Sequence, residues 1–266
     1  SKQPFFDAVF FNNKNDLNPD PRNEKVSGFE LGYGFTSNNF TANVNFYRTQ
    51  WRDRFIRVSY EDEATGDEGF ADIQGVEQLH TGIELDFTYD LSDKFRLVGM
   101  ASVGDWEYAG NVSGTAFDND VQAVGTVNLY LDGVKVGNSA QTTARLGFDW
   151  DVAKNFRVDY SHRYAARLYA SLNAEDFDSV ENDGSLQLPN YFLGDLGMSY
   201  KFDFKDSSNL NFRLNINNVG NTEYIAESLT NNFLESGDDS YRGINTNNKA
   251  FFGFGTTWNL TARYRF

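Results

Sequence analysis

The sequence predicts an all-β protein, a transmembrane antiparallel β-barrel, from three observations. Segments of strand length alternate apolar and polar residues along the whole chain. Tight polar turns and long loops alternate between these segments. The mean hydropathy of the 266 residues is −0.55, and no apolar run approaches the roughly 18 residues that a membrane helix needs. Any membrane span must therefore be built from strands, each of about 9–11 residues.

The most regular strand is the last one, residues 252–266. Successive strand side chains point to opposite faces, so this segment has one aromatic and aliphatic face and one face of glycine, hydroxyl, amide and guanidinium groups. Its apolar parity comprises Phe252, Phe254, Thr256, Trp258, Leu260, Ala262, Tyr264 and Phe266.

The same alternation predicts nine earlier strands, the first of them incomplete. In the first half, phenylalanine, tyrosine and leucine alternate with glycine and glutamate, or alanine and valine with asparagine and threonine. In the second half, leucine and aromatic residues alternate with arginine, aspartate and asparagine. The predicted strands are 5–11, 26–35, 40–51, 76–89, the less regular 95–108, 142–150, 156–169, 191–204 and 210–219.

Shared parity assigns the two faces of these strands. We expect one set of residues to face lipid: Leu31, Phe87, Phe148, Val158, Met198, Leu214 and Leu260. We expect the opposite set to face the lumen: Glu30, Glu84, Arg157, Arg213 and Arg263.

A soluble β-sandwich strand also alternates, so the connections decide between the two folds. The tight turns are 36–39, 90–94, 152–155 and 205–209, and the long loops are 52–75, 107–141, 170–190 and 222–250. Short turns on one rim and long loops on the other are typical of an outer-membrane barrel. The pattern therefore favours the barrel, with Phe266 on the short-turn, periplasmic rim.

Charge and cysteine content exclude several kinds of site. A net charge of −15 argues against nucleic acid as a partner, because phosphates would be repelled. The absence of cysteine excludes disulfides and thiolate metal sites. The acids cluster in the long loops, where they are either solvated charge or sites for divalent cations or a cationic ligand. The three acidic blocks are Glu61, Asp62, Glu63, Asp67 and Glu68; Glu175, Asp176, Asp178, Glu181 and Asp183; and Glu235, Asp238 and Asp239.

No catalytic set is evident, so we expect no enzyme activity and no cofactor. His80 and His162 are the only histidines, and no Ser/His/Asp arrangement or phosphate-binding glycine loop is present. Residues 176–184 are rich in acids, as a calcium loop is, but lack its spacing, so whether the chain binds a metal stays open.

Inward charges and aromatic residues give the candidate ligand site. Arg157, Asp159, Arg163 and Arg167 form a ladder on the polar parity of one strand, where they either contact a plug or bind an anionic or sugar-like ligand. The outermost candidates are Arg163, Arg167 and Tyr169, and Trp106 could stack on a sugar or an aromatic chelate.

Three segments resemble the TonB-dependent receptors of the Gram-negative outer membrane. Residues 18–33 resemble the family's Asn-Pro…Leu-Lys-Pro-Glu…Glu-Leu-Gly segment, with Arg22-Asn23-Glu24 in place of Lys-Pro-Glu. Residues 215–224 resemble its penultimate-strand signature, with Gly220 replacing an aromatic residue. The last seven residues are similar to the strand signal that the barrel assembly machinery reads, which points to Tyr264 and Phe266 as an assembly signal. The acid-rich loops and residues 130–137 resemble Bacteroidetes-type receptors.

The resemblance implies an outer-membrane importer of a scarce solute such as a ferric siderophore, an oligosaccharide or another large nutrient. It implies outer-membrane lipid and the TonB energy-coupling complex as partners, with a surface lipoprotein as a further candidate. Barrels of this family have about 22 strands around a plugged lumen, so residues 1–266 should be the C-terminal part of a barrel, about ten strands. The start lacks a secretory signal, which agrees with a chain that begins inside a longer protein. The alternative is a small complete outer-membrane barrel that acts as an adhesin, a passive pore or a surface protease.

Overall fold

The computed structural model describes residues 2–4, 6–10, 17–18, 20–61, 66, 68–173, 175–205 and 208–266. The elements in chain order are the one-turn helix α1 (Phe6–Val9), β1 (Lys25–Thr36), β2 (Phe40–Glu61), β3 (Glu68–Ser92), β4 (Phe95–Tyr108), β5 (Val112–Asp118), β6 (Ala123–Leu129), β7 (Thr142–Ala153), β8 (Phe156–Ala166), a 3₁₀ turn (Glu175–Phe177), β9 (Tyr191–Asp203), β10 (Asn209–Asn217), β11 (Ile225–Ser228), β12 (Ser240–Tyr241), β13 (Ile244–Asn245), β14 (Ala250–Phe252) and β15 (Thr257–Arg265).

Nine of the described strands form one antiparallel meander. Its order is β1-β2-β3-β4-β7-β8-β9-β10-β15, and the β5–β6 hairpin joins the far end of β3. β1 pairs only with β2 and β15 only with β10, so both edges of the sheet are open among the described residues. Among those residues, no helix is long and apolar enough to cross a membrane.

The two faces of the sheet differ in chemistry, as predicted. On the apolar face, Leu260, Leu214, Met198 and Val158 form one row across four neighbouring strands. Leu31, Leu146 and Leu260 on this face are 61%, 57% and 59% exposed, so no second layer covers it. An uncovered apolar face of this extent matches a sheet that is solvated by lipid.

The opposite, polar face carries paired charges. Arg157 and Asp149 form an ion pair of 3.0 Å between β8 and β7. Arg213 on β10 reaches over β9 to Asp159 on β8, with 2.9 Å between Nη2 and Oδ1. It passes directly above Gly197, where a Cβ atom would overlap both charged groups. This face is therefore built for a wet or polar interior.

The described hydrophobic core lies in the long connections and not beneath the sheet. One cluster joins the far ends of β2 and β3 with β5, β6 and the fully buried Phe177. A second cluster joins Leu168 and Leu188 to Ile225 and Ile244. We call this folded region, residues 109–141, 167–173, 175–190 and 222–250 with the far ends of β2 and β3, the outer cap. A sandwich would instead bury one face of the sheet.

Four predicted segments differ from the structure. Within the expected first strand, 5–11, residues 6–9 form α1 and Phe10 forms an isolated β-bridge with Leu17, while Phe5 and Phe11 lie outside the described residues. The expected loop 52–75 is largely a continuation of β2 and β3, and 107–141 contains the β5–β6 hairpin, because these segments pair beyond the membrane band. The final strand is interrupted at 253–256, where Gly253 N binds Tyr224 O at 2.9 Å and leaves the ladder.

Candidate functional site

Trp106 is part of a cluster of aromatic rings on the polar face. It pairs with His80 across β4 and β3, and the two rings stack with centroids 5.3 Å apart and 13° between their planes. Its indole Nε1 donates a hydrogen bond of 2.8 Å to the hydroxyl of Tyr47 on β2. These three side chains, which we call the aromatic shelf, are held together by stacking and one hydrogen bond.

The shelf lies directly on the backbone of the sheet. Gly82 and Gly104 are paired neighbours on β3 and β4, below the rings. A Cβ atom on Gly82 would overlap the Tyr47 ring, and one on Gly104 would overlap the Trp106 indole. Glycine at both positions therefore lets the rings lie flat. The groove here has a volume of about 330 Å³ and is lined by Glu30, Asn45, Tyr47, Thr49, Trp51, His80, Glu84 and Trp106.

Gln141 fixes the backbone of Trp106 from the cap side. Its side chain is 1% exposed, its Oε1 accepts from Trp106 N at 3.0 Å, and its Nε2 donates to Trp106 O at 2.8 Å. Sequence reasoning missed this residue, because a glutamine 35 positions away carries no local signal.

The surroundings of His80 disfavour its charged form. Burial, and then the nearby charge of Arg54, lower the pKa of its imidazole. Its Nε2 lies 3.3 Å from Oε1 of Gln78, to which Arg54 also donates a hydrogen bond. The neutral imidazole that these surroundings favour stacks on the indole.

Two carboxylates beside the shelf have no cationic partner among the described residues. Glu30 pairs in register with Tyr47, and Glu84 pairs with Asn45. Neither makes an ion pair or a hydrogen bond within the described part of the chain. Both point into the same groove as Trp106.

The other predicted ligand residues do not join Trp106 in one site. Arg163 lies on the polar face of β8 and pairs with Asp195 at 2.9 Å. Arg167 follows the end of β8 and has a φ of 53°, which turns it out of the predicted ladder. Its guanidinium donates to Gly104 O at 2.7 Å and to Asp105 at 2.9 Å. Tyr169 is 9% exposed and belongs to the packed outer cap.

Asp105 is the centre of a balanced charge cluster. It shares the parity of the apolar-face residue Val103, and it binds Lys135 at 2.8 Å as well as Arg167. The hydrogen bond from Lys135 lowers the pKa of Asp105. Lys135 is partly buried, which opposes its charge, but hydrogen bonds to Asp105 and Glu107 outweigh burial and raise its pKa. Two cations and two carboxylates thus neutralise each other here.

Two acids of the acidic blocks accept hydrogen bonds within the cap. Asp176 accepts from the backbone and the side chain of Asn231, at 3.1 and 2.9 Å. Asp238 accepts from Glu235 N and from Asn245 Nδ2. Among the described residues no group of three or more His, Asp or Glu side chains is arranged to hold a metal ion. Asp62, Glu63 and Asp67 lie outside the described residues.

The chain end carries the expected aromatic pair. Tyr264 pairs with Leu210 on the apolar face, and its ring lies 5.0 Å from that of Phe266. Phe266 is fully exposed. Its role as an assembly signal stays a prediction.

Solved structures with a similar fold include an import receptor and two metal transporters. The chain resembles the ferric-catecholate import receptor Fiu from E. coli K12 in its closed form (16% identity, 91% of this chain, 27% of that chain, TM-score 0.52). It resembles the FrpB iron transporter from Neisseria meningitidis, F3-3 variant (15%, 91%, 31%, TM-score 0.56), and the copper transporter OprC (14%, 99%, 36%, TM-score 0.64). The chain thus spans about a third of the length of these structures. No curated protein matches it.

The sequence itself matches a family. The family described as TonB dependent receptor-like, beta-barrel matches residues 3–219, which is most of the chain. This agrees with the alternating strands, the uncovered apolar face and the ion-paired polar face. The chain belongs to the TonB-dependent receptor β-barrel family of the outer membrane.

Proposed function

We propose that the chain is the C-terminal part of the barrel of a TonB-dependent importer, with the plug domain and the N-terminal strands elsewhere in the same protein. The whole receptor binds a scarce solute at its outer side and releases it inward when the energy-coupling complex acts on the plug. This proposal has no catalytic step, and its partners are outer-membrane lipid and the TonB complex, with a surface lipoprotein as a further candidate.

The open edges of the sheet carry the proposal. Each unpaired backbone group in hydrocarbon costs several kcal/mol, so β1 and β15 need further strands beside them. A small complete barrel, the alternative, would pair β1 with β15, and this pairing is absent from the described sheet. An upstream strand beside β1 and the first strand of the whole barrel beside β15 would satisfy both edges.

The lumen face supports a plug inside the ring. Glu30 and Glu84 point into the lumen without a cationic partner in the described part of the chain. Unpaired carboxylates in a narrow interior are unfavourable unless water or cations compensate them. Basic side chains on a plug are the natural partners, since a plug would fill this space.

The aromatic shelf is the proposed contact for the cargo. Each strand residue adds roughly 2.5 Å of height, from a rise of about 3.3 Å and a tilt of about 40°. Trp106 is 12 residues beyond Lys94 in the short turn, so it lies near the outer end of the lumen, about 30 Å above that turn. Arg163 on the same face is a second contact, while Arg167 and Tyr169 would act through the cap.

Only the similarity to solved transporter structures suggests a class of cargo. The similar structures are a ferric-catecholate import receptor, an iron transporter and a copper transporter. We propose a metal complex or another scarce solute of similar size, with stacking on Trp106 as part of its recognition.

Uptake by cells that carry the full receptor tests the proposal. The probes are a ferric catecholate, a ferric hydroxamate, Cu(II) and a maltooligosaccharide, each with and without the proton-motive force. We expect uptake of at least one probe to stop when the force is collapsed. Uptake that continues unchanged would indicate an open pore and refute the proposal.

A matched pair of variants tests the site within the same assay. Trp106→Ala removes the stacking surface and should weaken uptake at low solute concentration by roughly tenfold. Trp150→Ala removes an indole of the apolar face near the short turn and should leave uptake unchanged. Equal effects of both changes would argue against the shelf as the contact.

A further inference from the structure

A cluster of cations lies on the lipid-facing side of the sheet, at the outer end of β1 and β2. Lys25 has the parity of Phe29 and Leu31, and it pairs in register with Arg52. Arg48, which pairs with Phe29, has the same orientation as Arg52. All three side chains are exposed.

Arg22 and two acids complete this cluster, which we call the rim patch. Arg22 pairs with Asp20 at 2.8 Å, and Lys25 pairs with Asp53 at 2.6 Å. Arg48 and Arg52 form no ion pair of their own within the described part of the chain. The hydrogen bond from Lys25, with weaker effects of the charges on Arg22 and Arg52, lowers the pKa of Asp53. The patch therefore combines four cations with two acids, a surplus of two positive charges on a chain of net charge −15.

The height of the patch matches the headgroup layer of the outer leaflet. Arg48 is nine residues beyond Asn39 in the short turn, and Arg52 is 13 residues beyond it. At roughly 2.5 Å per residue these positions lie about 23 and 33 Å above the turn, around the upper limit of an apolar band of about 25 Å. On this face Phe29 lies level with Arg48, and the next pair toward the turn is Leu31 with Phe46, which belongs to the aromatic and apolar band.

The other charged group on this side provides a contrast. Asp105 and Glu107 are neutralised by Lys135 and Arg167, so that cluster has no surplus charge to offer a partner. Only the rim patch, among the described clusters of this face, leaves guanidinium groups without carboxylates. An additional strand beside β1 would pair with its backbone edge and would not cover side chains that point outward.

We propose that the rim patch binds the phosphate groups of outer-leaflet lipid. Guanidinium groups match phosphate oxygens in a bidentate geometry, and Arg48 and Arg52, four residues apart on one strand face, can hold two phosphates or two sides of one headgroup. The acyl chains of the same lipid would lie against Phe29, Leu31 and Phe46. The cations of the patch would thus contact the lipid phosphates, and the apolar residues below them would contact the acyl chains.

Binding of lipid A to the purified full receptor in detergent tests this proposal. The probes are lipid A with its phosphates, dephosphorylated lipid A and inorganic phosphate. The Arg48→Gln/Arg52→Gln double variant removes both unpaired cations. The control, Arg263→Gln/Arg265→Gln, removes the same charge from the lumen face of β15. Heat-modifiable migration shows that each variant is folded.

We expect the rim variant to bind phosphorylated lipid A roughly thirtyfold more weakly, since each basic residue near an anionic surface contributes about 1 kcal/mol. The control variant should bind as the original protein does, and Arg48→Lys/Arg52→Lys should recover part of the loss. Dephosphorylated lipid A should bind weakly and equally to all variants. An unchanged affinity of the rim variant, an equal loss in the control, or full competition by inorganic phosphate would overturn the proposal.

Discussion

Replacing Leu214 with arginine places a charge in the middle of the apolar face. Leu214 is six residues beyond Ser208, so at roughly 2.5 Å per residue it lies about 15 Å above the short turn, near the centre of the hydrocarbon. Its direct neighbours in register are Leu260 and Met198. Leucine has no hydrogen-bond acceptor and the methionine thioether is only a weak one, so the new charge must either stay without an anionic partner or move toward an interface.

The expected cost is about 3 kcal/mol, within the range of about 2–4 kcal/mol for arginine at the midplane of a barrel. This corresponds to a change of more than a hundredfold in the unfolding equilibrium. Leu214→Ala separates the charge from lost packing and should cost less. Asn215→Arg places the same side chain one residue away on the polar face, beside Arg213 and Asn259, and should cost less than about 1 kcal/mol because the lumen is wet.

The measurement is reversible urea unfolding of the full receptor in phosphatidylcholine vesicles, followed by tryptophan fluorescence. If Leu214→Arg and Asn215→Arg were equally destabilising, or if the polar-face change were the larger, the assignment of the faces would be refuted. A soluble sheet whose apolar face is buried against protein would give the same penalty in the absence of lipid, so a parallel titration in detergent completes the test.

Three further predictions concern other parts of the molecule. Deleting Phe266 should slow insertion into the outer membrane more than it lowers the stability of assembled barrel, because its fully exposed ring buries little; normal assembly kinetics would contradict this. Gly197→Ala should separate Arg213 from Asp159 and cost roughly 1–3 kcal/mol in the urea titration, whereas Gly125→Ala, in open space, should cost far less. Since the pKa of His80 lies below the ordinary 6.5, the stability that depends on its neutral ring should be complete above pH 6.5 and decrease as the pH falls through the lowered value. The pH-dependent part of the unfolding free energy should shrink in His80→Gln, and an identical pH profile in that variant would exclude His80 as the titrating group.

The faces of the strands could be predicted from the sequence because they depend on a local period of two. Leu31 and Glu30 differ by one residue, and that alone assigns them to opposite faces in any strand. The positions of the short turns could also be predicted from the sequence. The chain must reverse between two alternating segments, and only a few polar residues separate those segments. The family match over residues 3–219 confirms the predicted receptor family and its location in the outer membrane.

The arrangement of the site depends on register and on packing of the cap, which the sequence does not express locally. His80 and Trp106 meet only because β3 and β4 pair in one of several possible registers, and Gln141 reaches Trp106 only after the cap has folded. Arg167 has the polar parity of its predicted strand, yet the strand ends at Ala166 and the next residue turns toward Asp105. Alternation along the chain therefore determined which residues face lipid and which face the lumen. The tertiary structure decided which of them touch, because contacts between strands far apart in sequence are selected by hydrogen-bond register and by burial in the loops.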